Sequence, residues 1–207
     1  MIIRLEEKKD FFEVENLIRE AFWNVYKPGC SEHFVMHKMR SHKDFIAELS
    51  FVMQDEGKEN KPIIGQNVFF PAKIELQNGE ILKIATMGPI SIHPSYKRKG
   101  FGKILLDYTL EKAKNFGFGA VCFEGNIDFY GKSGFDLASK KRIHYHGFSS
   151  KDEVPFFLCK ELIPNFLAGI EGFYTPPEIY FVSDEEVENF DKNFLPKQKL
   201  KLKGQIF

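Results

Sequence analysis

Apolar residues recur along the chain with two alternating periods, and the switches between them mark out the elements. Ile2-Ile3-Arg4-Leu5 is short, branched and followed by charge, which predicts a strand. Phe11, Val14, Leu17, Ile18, Ala21 and Phe22 then recur at helical spacing, with Glu13, Glu15, Arg19 and Glu20 filling the other side. Asp10 is placed to cap that helix, and Pro28-Gly29 stops it. Ser31 opens a second helix through Phe34, Val35, Met36 and Met39 to about Arg40. From Phe45 to Met53 the residues are apolar and β-prone, and polar Gln54 to Lys61 make a turn. Ile63 to Leu76 is a further strand, in which Gly65 and Pro71 suggest bulges or kinks. Asn78-Gly79 supplies the positive φ angles of a tight hairpin, so Ile81 to Ile92 should return antiparallel.

Ile104, Leu105, Tyr108, Leu110 and Ala113 form the apolar stripe of the strongest helix, which Gly117 ends. Ala120-Val121-Cys122-Phe123 has the length and character of a buried strand, and a strand, helix, strand order implies a right-handed crossover into parallel pairing. The fold class is therefore α+β with a mixed sheet. Asn126 to Lys132 predicts a short helix, β alternation returns from Phe135 through His146, and Pro155 to Leu162 is another strand. Ser183-Asp184-Glu185-Glu186 opens a last helix with a capping box. The tail beyond it turns from acidic to basic through Lys197, Lys199, Lys201 and Lys203, and reads as a solvated, frayed terminus.

At 207 residues the chain has room for one domain with a core, or a domain plus an appendage. Lys plus Arg and Asp plus Glu both total 29, so no global basic field gathers nucleic acid or anionic membrane, and any anion site must be local. Cys30, Cys122 and Cys159 are odd in number and far apart, against a disulfide framework or a metal knuckle. His33 and His37 share a helical face with Cys30 one turn earlier, but with no further ligand evident they read as a solvated face, and no metal is expected. The early charge at the N-terminus and the lack of a long apolar run point to a cytoplasmic protein.

The stretch from Gly88 to Lys103 is the most informative. A strand runs into a turn carrying Lys97, Arg98, Lys99 and Lys103, and the turn opens the long amphipathic helix. Helix N-termini attract phosphate because their first amides are unpaired and the dipole is positive there, so a diphosphate is the first ligand to consider. Two other glycine loops are excluded. Gly102-Lys103 is followed by Ile104, which leaves no hydroxyl for the magnesium of a Walker loop, and the third small residue of a dinucleotide fingerprint is replaced by Leu105.

Lys97-Arg98-Lys99-Gly100-Phe101-Gly102 resembles the pyrophosphate loop of the GNAT acetyltransferases, [Arg/Gln]-x-x-Gly-x-[Gly/Ala], with Lys97 as its one departure. Gly88 to Pro94 is similar to the strand that precedes that loop, and Asn126 to Phe135 to the segment beside the cofactor thiol. The resemblance, closest to an uncharacterised bacterial branch, implies a splayed sheet with an acetyl-CoA-binding domain over residues 1–160. Residues 161–207 would form an extension packed on it or trailing from it. It implies acetyl-CoA as donor substrate, bound by Ile90, Ile92, Lys97, Arg98, Lys99, Gly100, Phe101, Gly102, Lys103, Asn126 and Tyr130, with Tyr130 as the catalytic proton donor to the departing sulfur. For the base, Glu124 and His93 are the two candidates, neither assigned. The implied reaction passes acetyl directly to a primary amine of a small molecule or peptide, with no nucleic-acid or membrane partner and a homodimer left open. The inter-helix stretch with Trp23 and Tyr26 would border the acceptor. Two other readings stand beside it: a non-catalytic acyl-CoA-binding or sensing module, and a nucleic-acid-binding protein, for which the basic turn has few interleaved aromatics to stack bases.

Overall fold

β1 (Ile2–Leu5) pairs antiparallel with β2 (Ser50–Gln54), Ile2 opposite Gln54 and Leu5 opposite Phe51. β2 continues antiparallel onto β3 (Ile63–Leu76), with a register shift at Met53/Gln54. The computed structural model describes residues 1–205. In its sheet, hydrogen-bonded neighbours run β1-β2-β3-β4-β5-β8-β6, with β4 at Ile81–Ile92, β5 at Ala120–Glu124, β6 at Asp136–Leu137 and β8 at Phe157–Glu161. Off this path, β7 (Ile143–Tyr145) pairs parallel with β9 (Gly172–Tyr174), which pairs antiparallel with β3. β5 pairs parallel with β4 and antiparallel with β8, so the sheet is mixed, as the crossover predicts. The helices are α1 (Phe11–Phe22), α2 (Glu32–Arg40), α3 (Phe101–Phe116), α4 (Ile127–Tyr130) and α5 (Asp184–Asp191).

The chain divides into two compact units. Among the described residues, the first holds Met1–Val68, Pro89–Leu105 and residues 178–205. Its interior includes Met53, Ile64 and Leu105, against which Ile3, Ile90, Ile92, Tyr96 and Phe101 pack. Gly65 is required there: a Cβ would lie 2.7 Å from Ile92 Cδ1 and 3.2 Å from Leu105 Cδ2. The second unit holds Phe69–Gly88 and Leu106–Pro177. Its core includes Ile74, Ile84, Cys122, Ile143, Phe157, Cys159 and Tyr174.

Several expectations need correction. Residues 45–49 are not strand: Ala47–Leu49 is a 3-10 turn, and β2 begins only at Ser50. Asp10 does not cap α1, because its carboxylate is held by Arg4 at 2.6 and 2.9 Å and by the amide of Glu7 at 2.8 Å. The β alternation after Phe135 is interrupted by a 3-10 turn at Ala138–Lys141. Part of the polar side of α1 is buried, although Glu13 stays exposed. Arg19 is 1% exposed, bound to Asp191 of α5 at 2.6 and 3.1 Å, and Glu15 is buried against Arg40 and His37 of α2.

The tail is tied down rather than frayed. Trp23 Nε1 and Asn24 Nδ2 donate to the Gln198 carbonyl at 2.9 and 3.0 Å, and Leu200 N donates to Asn24 Oδ1 at 3.1 Å. Its lysines are the cause as well: Lys197 meets Glu20 at 2.8 Å, and Lys199 meets Glu188 of α5.

Candidate active site

The glycine-basic turn lies in the first unit. β4 ends at Ile92, the His93 amide bonds the Ile64 carbonyl at 2.8 Å, and a 3-10 turn, Pro94–Tyr96, follows. His93 caps that turn, its Nδ1 accepting from the Ser95 amide at 3.2 Å. The Tyr96 hydroxyl donates to Asp55 at 2.8 Å, which anchors the turn from the other side. The chain then takes two left-handed steps, Arg98 at φ 60° and Gly100 at φ 86°, before α3 starts at Phe101. At Gly100 the conformation requires glycine. At Arg98 it is uncommon for a side-chain-bearing residue and is held by the anchored turn around it.

This geometry frees a run of donors. Among the described residues, the amides of Arg98, Lys99, Gly100, Phe101 and Gly102 make no hydrogen bond to the chain, whereas Lys97 N bonds the Pro94 carbonyl and Lys103 N that of Gly100. Five successive open amides stand at the positive end of a sixteen-residue helix, and a Cβ placed on Gly100 would meet nothing within 4 Å. A pyrophosphate fits such a run of donors. The side chains are less uniform than their charges suggest. Lys97 Nζ donates to the Ala21 carbonyl at 3.1 Å, desolvation lowers its pKa, and Lys99 Nζ donates to the Ser95 carbonyl at 3.0 Å. Arg98 is exposed and forms no ion pair among the described residues. Ile90 and Ile92 turn their side chains into the first unit's core, which leaves their main chain as the part able to meet a ligand.

The second unit holds the other candidates. Gly88 takes φ 128° within β4, and the parallel pairing with β5 is confined to Ala85 opposite Val121 although β5 runs on to Glu124. On its other side the whole of β5, Ala120 to Glu124, pairs with β8. Past the strand end, Asn126 caps α4, its Oδ1 accepting from Asp128 N at 2.8 Å. Tyr130 ends α4 with its ring edge-to-face against Phe123 at 4.6 Å and Phe129 at 4.8 Å. The ring lies so close to the chain at Gly125 that a Cβ there would be 2.6 Å from Tyr130 Cε2. Glu124 is exposed and accepts a hydrogen bond from the Tyr145 hydroxyl of β7. That partner was not legible in the residues, since 21 positions separate the two; an isolated tyrosine in a short β-alternating run was the only available signal.

Of the inter-helix residues, Trp23 is covered by the tail, while Tyr26 and Pro28 line a cleft of about 610 Å³ with Glu32, Asp184 and Glu188. Among the described residues no group of three His, Cys, Asp or Glu side chains could hold a metal, and no helix is long and apolar enough to cross a membrane.

The acetyltransferase (GNAT) family model matches residues 16–135, more than half of the chain and the whole of the glycine-basic turn. The chain belongs to the GNAT family. It is thus an acyl-transfer enzyme by descent. An uncharacterized N-acetyltransferase of Escherichia coli strain K12, YhbS, is 27% identical over 139 residues, 67% of this chain and 75% of that protein. The crystal structure of E. coli YhbS in complex with CoA matches with a TM-score of 0.72 at 24% identity, over 86% of this chain and 91% of that one. A GNAT family acetyltransferase of Brucella melitensis, in complex with acetyl-CoA, matches with a TM-score of 0.67 at 20% identity, over 87% and 97%. At these identities the likeness to solved structures establishes the fold, and the mixed sheet flanked by helices is the GNAT fold.

Proposed function

We propose that this GNAT protein transfers the acetyl group of acetyl-CoA directly to a primary amine. The observation that carries the reading is the run of five open amides from Arg98 to Gly102 at the head of α3, shaped by the left-handed Arg98 and Gly100. Those amides, with the Arg98 guanidinium and the Lys103 ammonium, hold the donor's pyrophosphate, while Lys97, Lys99 and Phe101 shape the turn. Main-chain groups of Ile90 and Ile92 meet the pantetheine arm as an added strand would. CoA-bound and acetyl-CoA-bound relatives support the choice of donor.

In the transfer, the amine nitrogen bonds to the acetyl carbonyl carbon and the carbon–sulfur bond breaks. The departing sulfur takes a proton from Tyr130, and the proton that the attacking nitrogen loses passes to solvent, which returns one to the tyrosine; Asn126 orders the turn that presents the ring. Residues 1–160 carry this chemistry. Residues 161–207 are an extension packed on them: β9 adds to the sheet beside β3, and the tail hydrogen-bonds the α1–α2 connection. Three free, buried cysteines favour a cytoplasmic setting.

Calorimetry with CoA tests the donor site. Wild type should release heat and Gly102→Glu should not, because charge and bulk then occupy the turn. Tyr130→Phe should bind CoA normally and lose turnover by about 100-fold. Absence of CoA binding by the wild type overturns the reading.

A further inference from the structure

Beside the end of β5 stands a group of side chains that donor binding leaves unused. Glu124 closes the strand three residues past Val121, and only Gly125 separates it from the Asn126–Tyr130 segment. Its carboxylate accepts from the Tyr145 hydroxyl, and it forms no ion pair with a basic side chain among the described residues. Tyr145 is also one corner of a triangle of rings. Its centroid lies 5.9 Å from that of Phe148 and 5.5 Å from that of Phe156, and those two lie 6.2 Å apart, with interplanar angles of 76°, 79° and 73°. Each ring presents an edge to the face of another. Phe148 and Phe156 nevertheless remain 43% and 40% exposed.

The group is held in place from below. Tyr145 packs on buried Phe157 and Tyr174 at 5.1 and 6.0 Å, and Gly125 N donates to the Phe156 carbonyl at 2.7 Å. The connection between the rings is itself braced, Ser149 N to Asp152 Oδ2 at 2.8 Å and Asp152 N to the Ser149 carbonyl at 2.9 Å. Two part-exposed phenylalanines fixed side by side near a carboxylate without a basic partner make a small apolar patch with a negative charge beside it. They suit one kind of ligand. Ring faces and a carboxylate both attract a cation and repel an anion, and the rings offer apolar contact but no partner for amide groups.

We propose that Glu124, Tyr145, Phe148 and Phe156 form the acceptor subsite. The acceptor is a small primary amine, protonated in solution and carried on an apolar aryl or alkyl body. This rests on the acetyltransferase reading above and narrows it. A peptide fits poorly, because amides laid against Phe148 and Phe156 would lose water that those rings cannot replace, and the Glu124 carboxylate is occupied by the ammonium. An amine bearing a phosphate or sulfonate meets the Glu124 charge.

The test uses the full chain at saturating acetyl-CoA, following thiol release with phenethylamine, a glycine-led tetrapeptide and taurine. Phenethylamine should give a kcat/KM about tenfold or more above either of the others. Glu124→Gln and the pair Phe148→Ser/Phe156→Ser should each raise its KM about tenfold, with the CoA Kd measured by calorimetry unchanged. Thermal melting of each variant reports whether it folds. A peptide or taurine turned over as well as phenethylamine, or a phenethylamine KM indifferent to the folded variants, overturns the subsite and leaves the acetyltransferase reading standing. CoA binding with no turnover of any of the three amines also overturns the subsite. A wild type that binds no CoA removes both.

Discussion

The ammonium of Lys97 donates to the carbonyl of Ala21 at 3.1 Å, joining the turn before α3 to the last turn of α1. Ala21 is one of the four residues whose carbonyls a helix leaves without an intrahelical partner, and the negative end of the α1 dipole favours a cation there. Lys97 thus supports the open amides rather than adding one more charge to their ligand. Lys97→Met should weaken CoA binding about tenfold, the scale of one lost charged hydrogen bond, while kcat at saturating donor is preserved. Lys97→Arg should restore most of the affinity. Calorimetry and steady-state kinetics on the three proteins check this, and a methionine variant with wild-type affinity would remove the tie from the account.

Gly125 makes a second, sharper prediction. Any Cβ at this position would sit 2.6 Å from Tyr130 Cε2 and 2.8 Å from Phe123 Cε2, so the rings must move to admit one. Gly125→Ala should shift the Tyr130 hydroxyl and lower kcat about 100-fold, the usual effect of misplacing a reacting group by an ångström. The CoA Kd should be unchanged, because the pyrophosphate turn lies in the other unit. A variant with normal kcat would show that the ring position is irrelevant to catalysis.

Much of this was legible in the residues, and the rest failed for identifiable reasons. Local signals did well: the Asn78-Gly79 turn joined β3 to β4, although Gly79 alone takes a positive φ, the Ser183 capping box started α5, and Gly117, at φ 115°, ended α3. The two motifs that carried the family resemblance fall within or at the edge of the matched residues. What could not be read was the destination of charge. Glu15 and Arg19 lie on the polar side of the helical period, and they are buried because Arg40 and Asp191 arrive from other segments to meet them. His33 followed the same course, read as a solvated face and found fully buried. β9 was missed because a three-residue strand carries no periodicity.

His33 gives the pH prediction. Its Nε2 lies 3.2 Å from Asp191 Oδ1 without hydrogen-bond alignment, and its Nδ1 lies 3.5 Å from Cys30 Sγ. Burial holds its pKa down at about 4 despite the neighbouring Asp191. Between that value and the unfolded value near ~6.5, the unfolded chain binds a proton that the folded one refuses, so stability falls as pH drops through this window. The full effect is about 3 kcal/mol for the one group. Asp191 acts lower: burial raises its carboxyl, the Arg19 hydrogen bond and charge outweigh that, and its net shift is downward. Its contribution is present above the unfolded carboxylate range near ~4 and is lost below it. Thermal midpoints of wild type should drop from pH 6.5 to pH 4, and His33→Gln should flatten that slope. Parallel slopes would assign the acid sensitivity to other groups.

Arg40 makes the last case, because a buried cation holds two carboxylates at once. Its guanidinium reaches Glu6 Oε1 at 2.6 Å and Oε2 at 3.3 Å, bonds Glu15 Oε1, and stacks 4.1 Å over the Phe11 ring. Ser50 Oγ donates to Glu6 at 2.9 Å and His37 Nδ1 lies 2.9 Å from Glu15, so α1, α2 and the strand edge meet in one network. Removing the guanidinium strands two carboxylates in a site with little water, at a cost of about 3–5 kcal/mol. Arg40→Met should therefore lower the denaturant midpoint by a large fraction of the total stability. The triple variant Arg40→Met/Glu6→Gln/Glu15→Gln should recover much of the loss, since the stranded charges go with their partner. Equal stability of the single and triple variants would show that the loss came from packing over Phe11 and not from unpaired charge.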